Sequence, residues 1–388
     1  MRQIIKNGTI VTGGGSFPAD ILIDGEKIAA TGTAEEIGKL TQPGDREIDA
    51  AGCLIFPGFI DAHTHFDLHV AGTITADDFA TGTKAALRGG TTTIIDFGTQ
   101  YPGETLAEGL KNWHEKADGK CSCDYSFHMS ITDWNPSVSK EVQDMMDEGI
   151  TSFKLYMTYD TQVDDKTLFE ILQRLKETGG ITGVHCENSG MIAALQEEAK
   201  AAGKMGVSSH PKTRPAAAEA EAIGRLLRLA EVVDVPVVVV HLTCKEGYDV
   251  IAQARKRGQK VYVETCPQYM EFTCDVYKRE DGRNFVCSPP MKGQESLDAL
   301  WEAIKDGFID TIATDHCPFQ SYEKDWGKDD FTKIPNGCAG VETQTSRCLL
   351  CENAPCSHAC TSHLPVSDII RSFRFENHMG AAERSCKM

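Results

Sequence analysis

The sequence predicts an α/β chain. It has a TIM-like (β/α)8 barrel behind a small N-terminal β-sandwich unit and a short Cys-rich helical segment at the C-terminal end. Three observations predict it: two turn dipeptides near the N-terminus, eight short apolar runs alternating with helix-like segments, and a break in composition near Gln344.

The N-terminal stretch reads as hairpins. Ile4–Ile5 and Ile10–Val11 flank Asn7-Gly8, and Ile21–Ile23 and Ile28–Ala30 flank Asp24-Gly25. Asn-Gly and Asp-Gly suit the positive φ angles of type I′ turns. Residues 1–55 are therefore a small β unit, part of a sandwich.

Eight candidate strands follow: Leu54–Asp61, Thr91–Phe97, Asp124–Ser130, Thr151–Met157, Ile181–Cys186, Pro236–His241, Lys260–Thr265 and Asp310–Thr314. Helix-like patterns lie between them, among them Lys140–Glu148, Asp165–Glu177, Ala216–Val232, Cys244–Arg257 and Ser296–Asp306. Such alternation implies a parallel sheet with right-handed crossovers. Eight units close a barrel over residues 56–343, with any active site at the C-terminal ends of the strands. An open doubly wound sheet is the rival arrangement.

Residues 344–388 differ in character. They hold five of the fifteen cysteines, with five basic and four acidic side chains, in a chain whose net charge is −18. A break this sharp marks a domain or fusion boundary.

Bulk composition narrows the function classes. A 388-residue chain that is 41% hydrophobic and 7% aromatic can bury a sizeable core. Its 57 acidic against 39 basic residues would repel phosphate backbones, which argues against nucleic acid as a partner. The opening MRQIIKNGTIVTGGG lacks the apolar run of a signal peptide, and no stretch of about 18 apolar residues suggests a membrane span. Cysteines without a signal read as reduced thiols or metal ligands, and the cytoplasm is the expected compartment.

The chemistry concentrates at the strand ends. His63 and His65 stand in Asp61-Ala-His-Thr-His, just past the first predicted strand. Two residues apart on an extended chain, their side chains point the same way and can reach one ion. Lys154 lies in the fourth strand, His185 ends the fifth, His241 ends the sixth and Asp315 follows the eighth. A core histidine satisfied by a backbone carbonyl is the competing account for any one of them. Polar groups recurring at the same end of five strands favour metal, and His with Asp suits zinc.

Lys154 is the unusual member. Alternation puts Ser152, Lys154 and Tyr156 on one face and Phe153 and Leu155 on the other. An ammonium inside a barrel is costly unless paired. Burial and nearby cations leave a neutral amine, which can add carbon dioxide to form a carbamate able to bridge two metal ions. A lysine paired with Asp or Glu is the alternative.

These residues resemble a family. Asp61-Ala-His-Thr-His, Phe153-Lys-Leu-Tyr, Val184-His-Cys-Glu-Asn, Val240-His-Leu-Thr-Cys-Lys-Glu, Glu264-Thr-Cys-Pro-Gln-Tyr, Cys287-Ser-Pro-Pro, Ala313-Thr-Asp-His-Cys-Pro-Phe and Ile334-Pro-Asn-Gly are similar, in order, to segments of the cyclic amidohydrolases, dihydropyrimidinase (hydantoinase) above all. The likeness runs to about Thr343. It implies a zinc ion on His63, His65 and Asp315, a second on His185 and His241, and Lys154 as N6-carboxylysine between them. It further implies Tyr159 as donor to the oxyanion, Ser288 and Asn336 presenting backbone groups to the ring amides, and Asp315 as proton carrier. Paired metals of this kind acidify a water near pH 7. The implied reaction opens a small cyclic amide, a 5,6-dihydropyrimidine or a hydantoin, to an N-carbamoyl amino acid. Allantoin and dihydroorotate are rival substrates, and a non-catalytic scaffold like the collapsin response mediator proteins is a rival role. The resemblance also implies a homo-tetramer.

The family continues beyond Gly340-Val-Glu-Thr, so the barrel is expected to be truncated here. Cys348, Cys351, Cys356 and Cys360 instead follow a C-x2-C-x4-C-x3-C spacing. That segment resembles the iron–sulfur entry region of dihydropyrimidine dehydrogenase and the glutamate synthase small subunit. Four thiolates suit a four-iron cluster or a zinc ion. A thiol tail without cofactor, and an inactive fusion of two neighbouring genes, are the alternatives.

Overall fold

The computed structural model describes Arg2–Gln344, whose contacts divide between Phe59 and Ile60 into two units. The expected cluster at Cys348, Cys351, Cys356 and Cys360 lies outside the described residues.

The first unit holds two sheets. Arg2–Lys6 pairs antiparallel with Asp20–Asp24 and parallel with Arg46–Asp49, and Lys27–Gly32 completes this sheet. Thr9–Thr12 pairs with Gly15–Pro18 and Leu54–Ile55 in the other. Ile4, Leu22 and Ile37 form its small core. The Asp24-Gly25 hairpin is present, with Gly25 at φ 63°. The Asn7-Gly8 hairpin is not. Asn7 does take a positive φ of 63°, but there the chain passes from one sheet to the other. The side-chain amide of Asn7 donates to Asp49 and its backbone N–H to Asp20, so tertiary partners redirect a dipeptide that is locally suited to a tight turn.

The second unit is a ring of eight parallel strands, Phe59–Thr64, Thr91–Thr99, Asp124–Ser130, Ser152–Tyr156, Ile181–His185, Val237–Val239, Val261–Thr265 and Thr311–Ile312, each beside the next in sequence. The ring closes where Thr64 bridges His316, with the His65 N–H donating to the His316 carbonyl at 2.8 Å. Closure rules out the open doubly wound sheet. The first strand differs from expectation. Leu54–Ile55 belongs to the N-terminal unit, Pro57-Gly58 intervenes, and the barrel strand starts at Phe59. His63 is therefore within the strand, not past it.

Helices follow all eight strands among the described residues, the last of them only the four-residue Ser321–Lys324, and their sequences explain their faces. Asp165–Thr178 buries Leu168, Ile171, Leu172 and Leu175, the spacing of one helical stripe. Asp164 caps its start, and Gly179 ends it at φ 80°. Pro136–Asp147 begins four residues before its predicted start, because Asn135 accepts from the N–H groups of Ser137 and Val138 and Pro136 suits a first turn. The core lies between helices and strands, and includes Trp113, Phe153, Leu155, Val184, Val237 and Val263. Gln344 ties the strand starts together. It accepts from the Thr91 hydroxyl at 2.9 Å and donates to the carbonyls of Ile312 at 3.0 Å and Ile60 at 3.3 Å. No helix among the described residues is long and apolar enough to cross a membrane.

Candidate active site

The strands deliver their polar residues to one end of the barrel. His63, His65 and Asp315 come together, each offering one ligand atom, with these atoms all within 4.8 Å of one another. Nε2 of both histidines approaches Oδ1 of Asp315, at 3.2 Å from His63 and 3.3 Å from His65. Such a group could hold a metal ion.

Second partners set its orientation. Glu264 Oε1 lies 2.7 Å from His63 Nδ1 and accepts the His241 backbone N–H at 3.1 Å. The carboxylate favours a proton on Nδ1 and leaves the Nε2 lone pair facing Asp315, as in ligating histidines generally. Nε2 of His63 is buried without a hydrogen-bond partner. Asp61 fastens the ring closure. It accepts from the Thr314 hydroxyl at 2.6 Å, the Thr314 N–H at 3.0 Å and the His63 N–H at 3.3 Å, so the segment carrying Asp315 is held against the strand carrying His63.

His185 and His241 form a neighbouring pair, with ring centroids 4.6 Å apart, and His241 stands 5.6 Å from His63. His241 lies two residues beyond its short strand, not at its end. Glu187 Oε2 sits 2.8 Å from His185 Nε2 and accepts from Arg214 at 2.5 Å, all three groups being buried. Lys154 is buried, its ammonium 4.9 Å from the Phe97 ring centroid and 5.2 Å from that of Tyr156, and its charge acts on His63, His185 and His241.

The charges follow from burial. Burial pushes Lys154 down to about 8 against the opposing pull of Asp315 and Glu264. Burial likewise raises Glu264 to about 7, with Lys154 acting to lower it. Burial, together with neighbouring cations, pushes His63 and His241 well below their ordinary values. Burial alone would raise Asp315, but the facing His63, His65 and His241 outweigh it and hold the carboxylate well below its usual range.

Tyr159 completes the rim. Its ring packs 5.1 Å from that of His185, the Arg214 guanidinium lies 5.5 Å from its centroid, and its phenol interacts with Ser288. Tyr159, His241 and Asp315 all have positive φ, at 73°, 41° and 51°. Bulky residues in that region mark strain held in place by the surroundings. Asn336 Oδ1 is buried without a hydrogen-bond partner, and the Gly337 N–H donates to the Val286 carbonyl at 2.9 Å, so the segments carrying Ser288 and Asn336 lie side by side.

Glu264, Glu187 and Arg214 had no assigned role in the sequence reading. Glu264 carried a signal, since a carboxylate in the apolar strand Val261-Tyr-Val-Glu-Thr needs a partner. Arg214 carried none, because its partner Glu187 is 27 residues away.

Residues 54–364 match the model of the Amidohydrolase family. The D-hydantoinase of Streptomyces coelicolor is 40% identical over 348 residues, spanning 88% of this chain and 74% of that protein. The D-hydantoinase of Rhizobium radiobacter is 43% identical over 348 residues, 88% and 75% of the two chains. The crystal structure of dihydropyrimidinase from Brevibacillus agri is similar with a TM-score of 0.88 at 40% identity, covering 97% of this chain and 82% of that one. A family match over most of the barrel, relatives at this identity and a closed eight-stranded ring place the chain in the amidohydrolase family, as a cyclic amidohydrolase enzyme.

Proposed function

We propose that this chain hydrolyses the ring amide of 5,6-dihydropyrimidines and hydantoins, releasing N-carbamoyl amino acids. The observation that carries the reading is the convergence of His63, His65 and Asp315 beside buried Lys154 and the His185–His241 pair.

The donor set fits two zinc ions. Neutral imidazoles and a carboxylate are zinc ligands, and the Glu264 bond leaves the right nitrogen of His63 free. His63, His65 and Asp315 would hold one ion and His185 and His241 the other. Lys154, packed against aromatic rings, would join them as N6-carboxylysine, its amine losing a proton as the nitrogen–carbon bond to carbon dioxide forms. Bound there, the ions would supply an acidified water and a polarised carbonyl.

The chain's own residues do the rest. Ser288 and Asn336 hold the ring amides through their backbone groups. Tyr159 donates its hydroxyl proton in a hydrogen bond to the carbonyl oxygen as charge builds there. Asp315 takes a proton from the attacking water and passes it to the ring nitrogen as the carbon–nitrogen bond breaks.

Hydrolysis of 5,6-dihydrouracil by the purified chain, supplied with zinc and bicarbonate, tests this. Turnover that disappears in Asp315→Asn is the expected result. Zinc-loaded protein that leaves dihydrouracil and hydantoin intact while opening allantoin would overturn the substrate class.

A further inference from the structure

Lys324 is buried, 2% exposed, and lies nine residues beyond Asp315. Its ammonium donates to three backbone carbonyls, Val286 at 2.8 Å, Pro335 at 2.6 Å and Gly337 at 2.8 Å. The adjacent Glu323 is turned away, to the Gln320 N–H and the Thr73 hydroxyl. Carbonyl oxygens thus surround a buried cation, an expensive arrangement unless its geometry is well satisfied.

The three carbonyls are not scattered. Val286 stands two residues before Ser288, and Pro335 and Gly337 flank Asn336. The Gly337 N–H also donates to the Val286 carbonyl, so one oxygen receives both the ammonium and the neighbouring segment. Gly337 has φ 155°, and a Cβ there would lie 2.0 Å from the Cys317 carbonyl oxygen. Close backbone packing and a buried cation therefore fix the same two segments.

We infer that Lys324 is the positioning residue of the substrate site, holding the Ser288 and Asn336 segments at the spacing that the two sides of a cyclic amide ring require. This rests on the assignment of Ser288 and Asn336 to the ring amides. A cation on the Pro335 carbonyl also polarises the Pro335–Asn336 peptide, which makes the Asn336 N–H a stronger donor. Lys324 touches no reacting atom, so its effect belongs to binding. A loss of uniform binding raises KM and leaves kcat nearly unchanged.

Three measurements on Lys324→Met and Lys324→Arg test this: KM and kcat for 5,6-dihydrouracil, zinc content, and amide hydrogen exchange over residues 284–291 and 334–340. Lys324→Met should raise KM about tenfold or more at wild-type zinc content, with kcat changed far less, and should speed exchange in both segments. Lys324→Arg keeps the charge in a bulkier head, and should raise KM by only about threefold. Wild-type KM and unaltered exchange in Lys324→Met would overturn the inference, as would a fall in kcat with KM unmoved. If Lys324→Met does not fold, Lys324→Arg decides: raised KM at full zinc supports the positioning role, and wild-type KM rejects it. If the wild-type chain does not open dihydrouracil, the substrate reading fails by itself. Exchange in the two segments then still decides whether Lys324 holds them.

Discussion

The two halves of the site are built differently. His63, His65 and Asp315 already converge, with ligand atoms within 4.8 Å, and their support is a carboxylate, Glu264, on which Lys154 is the strongest opposing charge. His185 and His241 meet ring to ring, and their support is the buried Glu187–Arg214 ion pair. The trio is complete from the twenty encoded side chains. The pair has only two encoded ligands, and the third we propose is made after translation, on Lys154. On that proposal, one half is preorganised by the fold and the other waits on a modification. Substitutions in each half should fail in distinguishable ways.

The largest effect is expected from Asp315→Asn. The amide can neither accept the water proton nor deliver it, and general acid–base catalysis contributes about 10²–10⁴-fold. Steady-state turnover of dihydrouracil should fall by at least that factor. Near-normal turnover would remove Asp315 as the proton carrier and weaken the case that the trio is the reactive half.

Lys154→Ala separates the halves. It should empty the pair before the trio, so that zinc analysis gives less than wild-type content and turnover is lost. Short carboxylic acids should partly restore both by standing in for the carbamate. Full zinc content in Lys154→Ala would sink the bridging role.

The two supports can then be compared directly. Arg214→Met leaves buried Glu187 with His185 and the charge of Lys292 as its remaining support. Removing one partner of a buried pair costs about 3–5 kcal/mol, which thermal or denaturant unfolding of the metal-free chain would read. The double variant Glu187→Gln with Arg214→Met should recover part of that loss. Additive losses would mean that the two side chains act independently.

Much of this was legible in the sequence, for physical reasons that particular residues show. Strand–helix alternation survives because apolar periodicity is local: Leu168, Ile171, Leu172 and Leu175 declare one helical face wherever the helix packs. The ligand candidates were legible because a barrel gathers its strand ends, so His63, Lys154, His185, His241 and Asp315 could be placed together without coordinates. What failed depends on distant partners. Asn7-Gly8 looks like a hairpin until Asp20 and Asp49 claim Asn7. Leu54–Ile55 reads as the start of a barrel strand until it pairs with Thr9–Ile10. The Arg214–Glu187 bond and the Lys324 clamp join residues through space, and neither leaves a periodicity to read.

The smallest effect sharpens the comparison most. Glu264→Gln keeps an oxygen near His63 Nδ1 but removes the charge that orients the ring and balances Lys154. Loss of such a supporting group typically costs 10–100-fold in metal affinity or activity. If the trio is preorganised by the fold, Glu264→Gln should fall at the low end, about tenfold, when zinc affinity is measured by competition with a chelator. The Asp61 bonds to Thr314 and His63 still hold the two ligand segments together, and they do not involve Glu264. A loss near 100-fold would mean that Glu264, not the closure of the ring at Thr64 and His316, sets the geometry. The contrast between a half formed by folding and a half formed by modification would then give way to one in which each half leans on its own buried carboxylate.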